Sequence, residues 1–152
     1  MILNMQVRKA ELEDFPAIDE FDVFGRDRKE EISRGEILVS VIDNKIAGYM
    51  THNRSFYARP FAQFVCVNEC FRNKGVAKAL YMEAEKLYKD EGDELIFSST
   101  EDDNKIMLGF FERNGWQKSG VIHNIQRQTE IIFVKRLKNF NSELEYYPNL
   151  YR

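Results

Sequence analysis

The chain has 152 residues and a mass of 18.0 kDa, a size typical of one domain. Hydrophobic residues make up 43% of it and charged residues 31%, a composition that excludes global disorder. The chain has 22 Lys and Arg residues and 25 Asp and Glu residues, which gives a net charge of -3. No broad positive field therefore favours nucleic acid as a partner.

Cysteine content and hydropathy indicate where the protein works. Cys66 and Cys70 are too few for a disulfide-framed secreted domain, and with only His52 and His123 beside them no metal site is expected. No apolar run approaches the ~20 residues of a transmembrane helix, and the first residues do not resemble a signal peptide. We therefore expect a cytoplasmic protein without a membrane segment, starting at either Met1 or Met5.

The first half of the chain is predicted to contain strands and two short helices. Runs rich in β-branched residues predict the strands, and apolar residues among acids, with Pro16 in the first turn, predict the first helix. The dipeptide Asp43-Asn44 predicts a tight turn between two strands. In chain order the predicted elements are a strand at 2–8, helices at 11–24 and 26–34, and strands at 37–42, 46–56 and 61–67.

The second half begins with the strongest helical pattern. Val76, Leu80, Ala84 and Tyr88 recur every four residues within 75–91, and Gly92 is a plausible stop. Further patterns predict a strand at 94–98, a helix at 103–114 and strands at 121–126 and 129–134. The order β-α-α-β-β-β-α-β-α-β-β indicates an α/β (α+β) domain over residues 1–137, followed by an aromatic tail at 138–152.

The stretch 64–80, FVCVNECFRNKGVAKAL, carries the chemistry. A strand ends, a short polar loop contains Gly75, and a helix begins at once. The first amides of a helix lack intrahelical acceptors, the helix dipole adds positive charge there, and Arg72, Lys74 and Lys78 surround the spot. This predicts a cradle for a phosphate or pyrophosphate. The alternative is an ordinary connection with solvated basic residues, since neither a P-loop nor a dinucleotide fingerprint is present.

Two motifs in this chain resemble those of the GNAT superfamily of N-acetyltransferases. The hexapeptide at 72–77, RNKGVA, matches the family's acetyl-CoA signature [QR]-x-x-G-x-[GA], and it follows a strand and opens a helix. About thirty residues later Asn104 precedes the aromatic pair Phe110-Phe111 and then Gly115-Trp116, as in the family's second signature. The resemblance implies a GNAT-like fold, with a mixed, mostly antiparallel central sheet flanked by about four helices.

The resemblance also implies how acetyl-CoA would bind as co-substrate. The amides of 73–78 would hold the CoA pyrophosphate, the backbone of 65–67 would pair with the pantetheine arm, and Asn104 would hydrogen-bond that arm. The thioester carbonyl would lie near the amide of Val67. The implied cofactor-binding residues are Val65, Cys66, Val67, Arg72, Asn73, Lys74, Gly75, Val76, Ala77, Lys78, Asn104 and Phe111.

One position departs from the family pattern. Where many members have a Tyr, proposed as general acid for the leaving thiolate, this chain has Phe111, which has no proton to give. Another group or water then protonates the thiolate, or acid assistance is dispensable because a thiol with a pKa of about 8.5 is a fair leaving group. A non-catalytic acyl-CoA-binding or regulatory module is the alternative function.

The candidate general bases are Glu69, His52 and His123. Glu69 lies just past the cofactor strand, His52 on the predicted third strand and His123 on the predicted penultimate strand, and each is also compatible with a merely structural role. Cys66 is expected to be a small buried hydrophobe and Cys70 to have no catalytic role. Gln63 and Tyr49 are further candidates for lining the cleft.

The sequence therefore predicts an N-acetyltransferase that moves an acetyl group from acetyl-CoA to a primary amine of a small molecule or peptide, by direct attack in a ternary complex. The acceptor amine stays open. The charged run 26–34 is expected to be a solvated helix face, with a role in acceptor specificity as the alternative. The tail either wraps the domain or lies disordered, or else it closes a homodimer or covers the acceptor site.

Overall fold

The computed structural model describes residues 4–138, and it confirms the predicted element order. The strands belong to a seven-stranded mixed sheet, accompanied by four α-helices, so the predicted fold class is confirmed. Two 3₁₀ turns, at Leu12–Asp14 and Glu69–Phe71, complete the set. The strands and helices are β1 (Met5–Lys9), α1 (Phe15–Phe21), α2 (Lys29–Ser33), β2 (Ile37–Ile42), β3 (Lys45–Phe56), β4 (Arg59–Val67), α3 (Val76–Asp90), β5 (Leu95–Glu101), α4 (Lys105–Arg113), β6 (Gln117–Ile122) and β7 (Glu130–Arg136).

The described residues divide into two compact units, which are 4–53 with 62–87, and 54–61 with 88–138. In the first unit β1 pairs antiparallel with β2, and β2 pairs antiparallel with β3. The turn between β2 and β3 is the predicted one, because Asp43 and Asn44 both have positive φ, at 49° and 63°. Two left-handed central residues are those of a type I′ hairpin turn, whose twist matches the strands.

The core of the first unit lies where α1 and α2 cover strands. Ile18 of α1 and Ile32 of α2 pack in one buried cluster with Ile37, Tyr49 and Cys66. Cys66 is 6% exposed, as expected for a small buried hydrophobe. This cluster packs the helices α1 and α2, and with them the segment between the two helices, against β3 and β4.

In the second unit β7 pairs antiparallel with both β5 and β6. Phe111 of α4 stacks on Phe133 of β7 at 4.4 Å between ring centroids and meets Trp116 edge-on at 5.3 Å. Arg54, the first residue of this unit, donates hydrogen bonds from its guanidinium to the carboxylates of Glu91 and Asp93. Among residues 4–138, no helix is both long enough and apolar enough to cross a membrane.

The prediction for the final hairpin was wrong in its first strand. β6 occupies 117–122 rather than 121–126, and His123 lies in the bends that follow β6 instead of on a strand. Among residues 4–138, β6 has a single neighbouring strand, β7; it is mostly exposed and shows a register shift between Lys118 and Gly120. An exposed edge strand buries few side chains, so it lacks the apolar alternation that would have located it.

The charged run 26–34 was predicted as a solvated helix face, and this is wrong for Arg28 and Ile32, which are both buried. α2 is only five residues long, and Arg28, just before it, is 0% exposed. The predicted aromatic tail lies almost wholly outside the described residues, apart from Lys138.

Candidate functional site

The connection from β4 to α3 is held by hydrogen bonds to β3 and to the Asn68 side chain. The Asn68 amide donates to the Ala47 carbonyl at 2.8 Å, and the Asn68 side chain accepts the Cys70 amide at 3.1 Å. After the 3₁₀ turn the chain is extended at Arg72, then left-handed at Asn73 (φ 61°) and again at Gly75 (φ 79°). Alternation of this kind turns successive amides toward one side and forms an anion-binding concavity.

The backbone amides of 73–78 are largely unpaired within residues 4–138. Within residues 4–138, no hydrogen bond engages the backbone N–H groups of 73–78, and the first helical bond is donated by Ala79 to the Gly75 carbonyl at 3.0 Å. Gly75 has open space where a Cβ would stand. The amides of the loop 73–75 and of the first three residues of the 15-residue helix α3 therefore remain available for a ligand.

Three cations surround this loop. Arg72, Lys74 and Lys78 are all exposed, and no carboxylate of the described residues forms a salt bridge with any of them. Together with the dipole of α3 they leave a local excess of positive charge in a chain of net charge -3. We call residues 72–78 the anion cradle from here on.

The cradle is brought close to the sheet by a glycine. A Cβ on Gly48 of β3 would lie 2.8 Å from Cγ1 of Val76 and 2.9 Å from the Cys66 carbonyl oxygen. Only the missing side chain lets the first residue of α3 approach β3 and β4 this closely. Val65 and Val67 of β4 are half-buried, and Cys66 between them is buried.

Phe64, one residue before this part of β4, is the anchor for the segment between α1 and α2. The Phe24 ring lies 4.7 Å from the Phe64 ring, and the guanidiniums of Arg26 and Arg28 each lie 5.0 Å from its centroid. Sequence reasoning missed this cluster, because nothing in the spacing shows that residues forty positions apart share one aromatic ring.

Arg28 is also the centre of a buried polar network. It donates to Asp22 at 3.0 Å, to Glu31 at 2.9 Å and to the Tyr49 hydroxyl at 3.1 Å. Burial is the main cause that raises the pKa of the Tyr49 hydroxyl, and the hydrogen bond to Asp22 raises it further. Tyr49 is thus neutral and structural in this network, rather than lining the cleft as the sequence suggested.

The three candidate bases are not equivalent in their surroundings. Glu69 is exposed at the start of the 3₁₀ turn, and His52 is 5% exposed on β3, as predicted for its strand. His123 is exposed in the second unit, with Nδ1 3.2 Å from the Thr129 hydroxyl oxygen. Gln63 on β4 is exposed as well.

Two further predicted cofactor residues belong to the second unit. Asn104 is the N-cap of α4, and its side-chain oxygen accepts the Met107 amide at 3.2 Å, so its two amide hydrogens remain for another partner. Phe111 is 0% exposed in the aromatic stack of α4. In the first unit Cys70, for which no catalytic role was expected, is an exposed free thiol, and burial raises the pKa of the Cys66 thiol.

Two other features escaped the sequence. Glu130 of β7 accepts hydrogen bonds from Ser99 and from Gln126, both at 2.6 Å. A cavity of about 490 Å³ lies in the first unit, and its lining includes the Arg8–Asp14 ion pair and the exposed Cys70. None of the three predicted bases lines this cavity.

Comparison with known proteins places these features in context. A sequence profile of the Acetyltransferase (GNAT) family matches residues 4–116. A GNAT-family acetyltransferase from Bacillus cereus ATCC 10987 is 29% identical, with a TM-score of 0.76, and the match covers 87% of this chain and 96% of that one.

More distant solved structures share the fold. The ribosomal-protein-S18-alanine N-acetyltransferase from Escherichia coli has a TM-score of 0.76 at 16% identity, over 97% of this chain and 99% of that one. The PaiA N-acetyltransferase from Thermoplasma acidophilum, solved in complex with coenzyme A, has a TM-score of 0.71 at 16% identity, over 88% and 99% of the two chains.

Proposed function

Since the chain belongs to the GNAT acetyltransferase family, we propose that it is an N-acetyltransferase that moves the acetyl group of acetyl-CoA to a primary amine. The acceptor is a small molecule or a peptide, and it attacks the thioester directly in a ternary complex. The observation that carries the proposal is the anion cradle, whose amides 73–78 have no acceptor among the described residues.

The cradle fits the diphosphate of CoA. Asn73 and Gly75 supply the left-handed turns, Gly75 leaves space for a bulky anion, and Arg72, Lys74 and Lys78 supply charge. Val76 and Ala77 contribute amides with small or buried side chains that do not obstruct the ligand. The complex of the Thermoplasma acidophilum neighbour with coenzyme A supports this choice of co-substrate.

From the cradle the pantetheine arm would run along the backbone of Val65, Cys66 and Val67. The amide of Val67 is the proposed donor to the thioester carbonyl oxygen, where negative charge develops when the amine attacks. One such donor contributes on the order of 3–4 kcal/mol to the transition state. Asn104 would hydrogen-bond the arm through the amide hydrogens that its capping role leaves available.

The reaction forms a C–N bond, breaks the C–S bond, and releases CoA thiolate and one proton from the amine. Holding both reactants supplies most of the rate gain. Glu69, His123 and His52 are the candidate proton acceptors. Glu69 and His123 are exposed and therefore reachable by solvent, whereas the buried His52 needs a proton path through its surroundings.

Phe111 favours a second candidate function. It stands where a Tyr acid is common in the family, and it lies fully buried among aromatic rings with no proton to give. A non-catalytic acyl-CoA-binding or regulatory module is therefore the alternative.

We further propose that the protein is cytoplasmic, where the free thiols of Cys66 and Cys70 persist in reduced form.

The two functions are separated by one pair of measurements. Calorimetry measures acetyl-CoA binding, and release of free CoA thiol is followed with a panel of polyamines, amino acids, aminoglycosides, peptide N-termini and lysine side chains. Turnover of any amine supports the acetyltransferase. Tight binding without turnover supports the module, and absence of acetyl-CoA binding contradicts both.

A further inference from the structure

The segment between α1 and α2 forms a turn that packs against Phe64 of β4. Its start is fixed by Asp22, whose carboxylate accepts the Phe24 amide at 3.0 Å and the Arg28 Nε at 3.0 Å. Gly25 supplies a left-handed residue (φ 63°) at the tip, with open space around it. Both Phe24 and Arg28 contact the Phe64 ring, so the turn is held at its two sides.

This turn presents one cation whose charge is not matched. Arg28 is neutralised by two carboxylates, those of Asp22 and Glu31. Arg26 is exposed, and no carboxylate of the described residues forms a salt bridge with it. The nearby Asp27 instead accepts the Lys29 amide at 2.9 Å, at the start of α2.

The side chain of Arg26 is oriented in a way that suits anion binding. Its guanidinium lies 5.0 Å from the centroid of the Phe64 ring. Stacking on an aromatic face restrains the guanidinium while its in-plane N–H donors stay available. Two parallel donors of this kind match the two oxygens of a carboxylate.

The position of Arg26 relates it to the proposed reaction centre. Neighbouring residues of a strand point to opposite faces of the sheet. On β3, Gly48 approaches Val76 of the cradle, whereas the next residue, Tyr49, contacts Arg28. The turn with Arg26 therefore lies on the face of β3 opposite the start of α3. Phe64 immediately precedes 65–67, the backbone proposed for the pantetheine arm, so an acceptor approaching from that face passes Arg26.

We propose that Arg26 binds a carboxylate of the acceptor, so that the preferred acceptor is an amine that also carries a carboxylate. This rests on the proposed function for its location and adds the substrate class. About three strand residues, or roughly 10 Å, separate Phe64 from Val67, so the amine and the carboxylate are expected to be several bonds apart.

The test compares matched pairs of acceptors. ω-Amino acids of about three to eight carbons are each paired with the alkylamine that lacks the carboxylate. In the wild type at least one ω-amino acid is expected to have a kcat/KM about tenfold or more above its partner, mainly through KM. In Arg26→Gln this preference is expected to disappear, while the values for the alkylamines and the affinity for acetyl-CoA stay unchanged.

Lys29→Gln is the matched control. Lys29 is also an exposed cation over an aromatic ring, with its Nζ 5.0 Å from the centroid of Phe15. The substitution Lys29→Gln therefore removes the same charge three residues away from Arg26. It is expected to keep the wild-type preference. A wild type without any preference for carboxylates, or a preference that survives in Arg26→Gln, overturns the proposal.

Binding measurements distinguish failure of this proposal from failure of the proposed function. The same pairs of acceptors are titrated into CoA-loaded protein, and their binding is measured by calorimetry. If no amine is acetylated but the ω-amino acid binds more tightly than its partner, and only Arg26→Gln removes that difference, the carboxylate site stands without the enzyme. If amines are acetylated and neither assay detects a difference within the pairs, the carboxylate site is refuted and the enzyme stands.

Discussion

Arg28 and Asp22 form an ion pair, 3.0 Å between Nε and Oδ2, with side chains that are 0% and 1% exposed. The other oxygen of Asp22 accepts the Tyr49 hydroxyl at 2.5 Å and the Phe24 amide at 3.0 Å. Burial alone would raise the pKa of the Asp22 carboxyl, but these hydrogen bonds and Arg28 together lower it below its ordinary value. The pair therefore stays ionised and fixes the turn between α1 and α2 on β3 and β4.

Replacing Arg28 should be strongly destabilising. Arg28→Met leaves Asp22 and Glu31 without their cation in a buried site, and breaking a buried pair from one side costs about 3–5 kcal/mol of unfolding free energy. Urea denaturation measures this loss. Arg34→Met is the control, because its ion pairs with Glu30 and Glu36 are exposed and should contribute little. Similar losses in both variants would contradict the structural role of Arg28.

The network of Arg28 also shows why sequence reasoning was incomplete. The helix α3 and the cradle were predictable, because an apolar period of four residues and a glycine before a helix are local signals. The burial of Arg28 depends on Tyr49 and Phe64, which are distant in sequence, so the run of charges did not predict a buried cation. A connection at 57–60 was predicted, but not the left-handed conformation of Tyr57 and Ala58, since neither residue is a usual left-handed one.

Stability should fall in acid, partly through Asp14. Two hydrogen bonds from the Arg8 guanidinium, at 2.7 and 2.9 Å, are the largest cause that lowers the pKa of the Asp14 carboxyl. A lowered folded-state pKa contributes stability that is present above the unfolded value of about 3.9 and is lost as the pH falls through the folded value.

The Asp14→Asn variant tests this linkage. It should be less stable than the wild type at neutral pH, and the difference should shrink as the pH is lowered below about 4. Urea midpoints measured from neutral pH down to acid supply the comparison. Asp19→Asn, at an exposed position of α1, is the control and should follow the wild-type curve. A gap for Asp14→Asn that stays constant at all pH values would contradict the prediction.

The anion cradle is tested by adding a negative side chain to it. Gly75→Glu places a carboxylate where the ligand's anion is proposed to lie, so acetyl-CoA binding should be lost through bulk and repulsion between like charges. Gly92→Glu is a matched control, because Gly92 also has positive φ (98°), open surroundings and a place at the other end of α3. Calorimetry should detect wild-type affinity only in the control, and equal affinity in Gly75→Glu would rule out the cradle.

Gly48 links the packing of the sheet to the cradle. In Gly48→Ala the new methyl group would meet Val76 Cγ1 and the backbone oxygen of Cys66, and the carbonyl cannot move aside as a flexible side chain would. Overpacking of this kind costs about 1–3 kcal/mol, and any relief requires the start of α3 to shift away from β3. We therefore expect lower stability together with weaker acetyl-CoA binding, measured by urea denaturation and calorimetry.

Gly120→Ala gives the comparison for Gly48→Ala, since Gly120 also lies in a strand but has nothing within 4 Å of an added Cβ. It should change neither stability nor affinity appreciably. If Gly48→Ala lost stability but kept its affinity, the shift would be absorbed by β3 or β4 instead of by Val76. That outcome would separate the packing of the sheet from the position of the cradle, and it would contradict the coupling between Gly48 and acetyl-CoA binding.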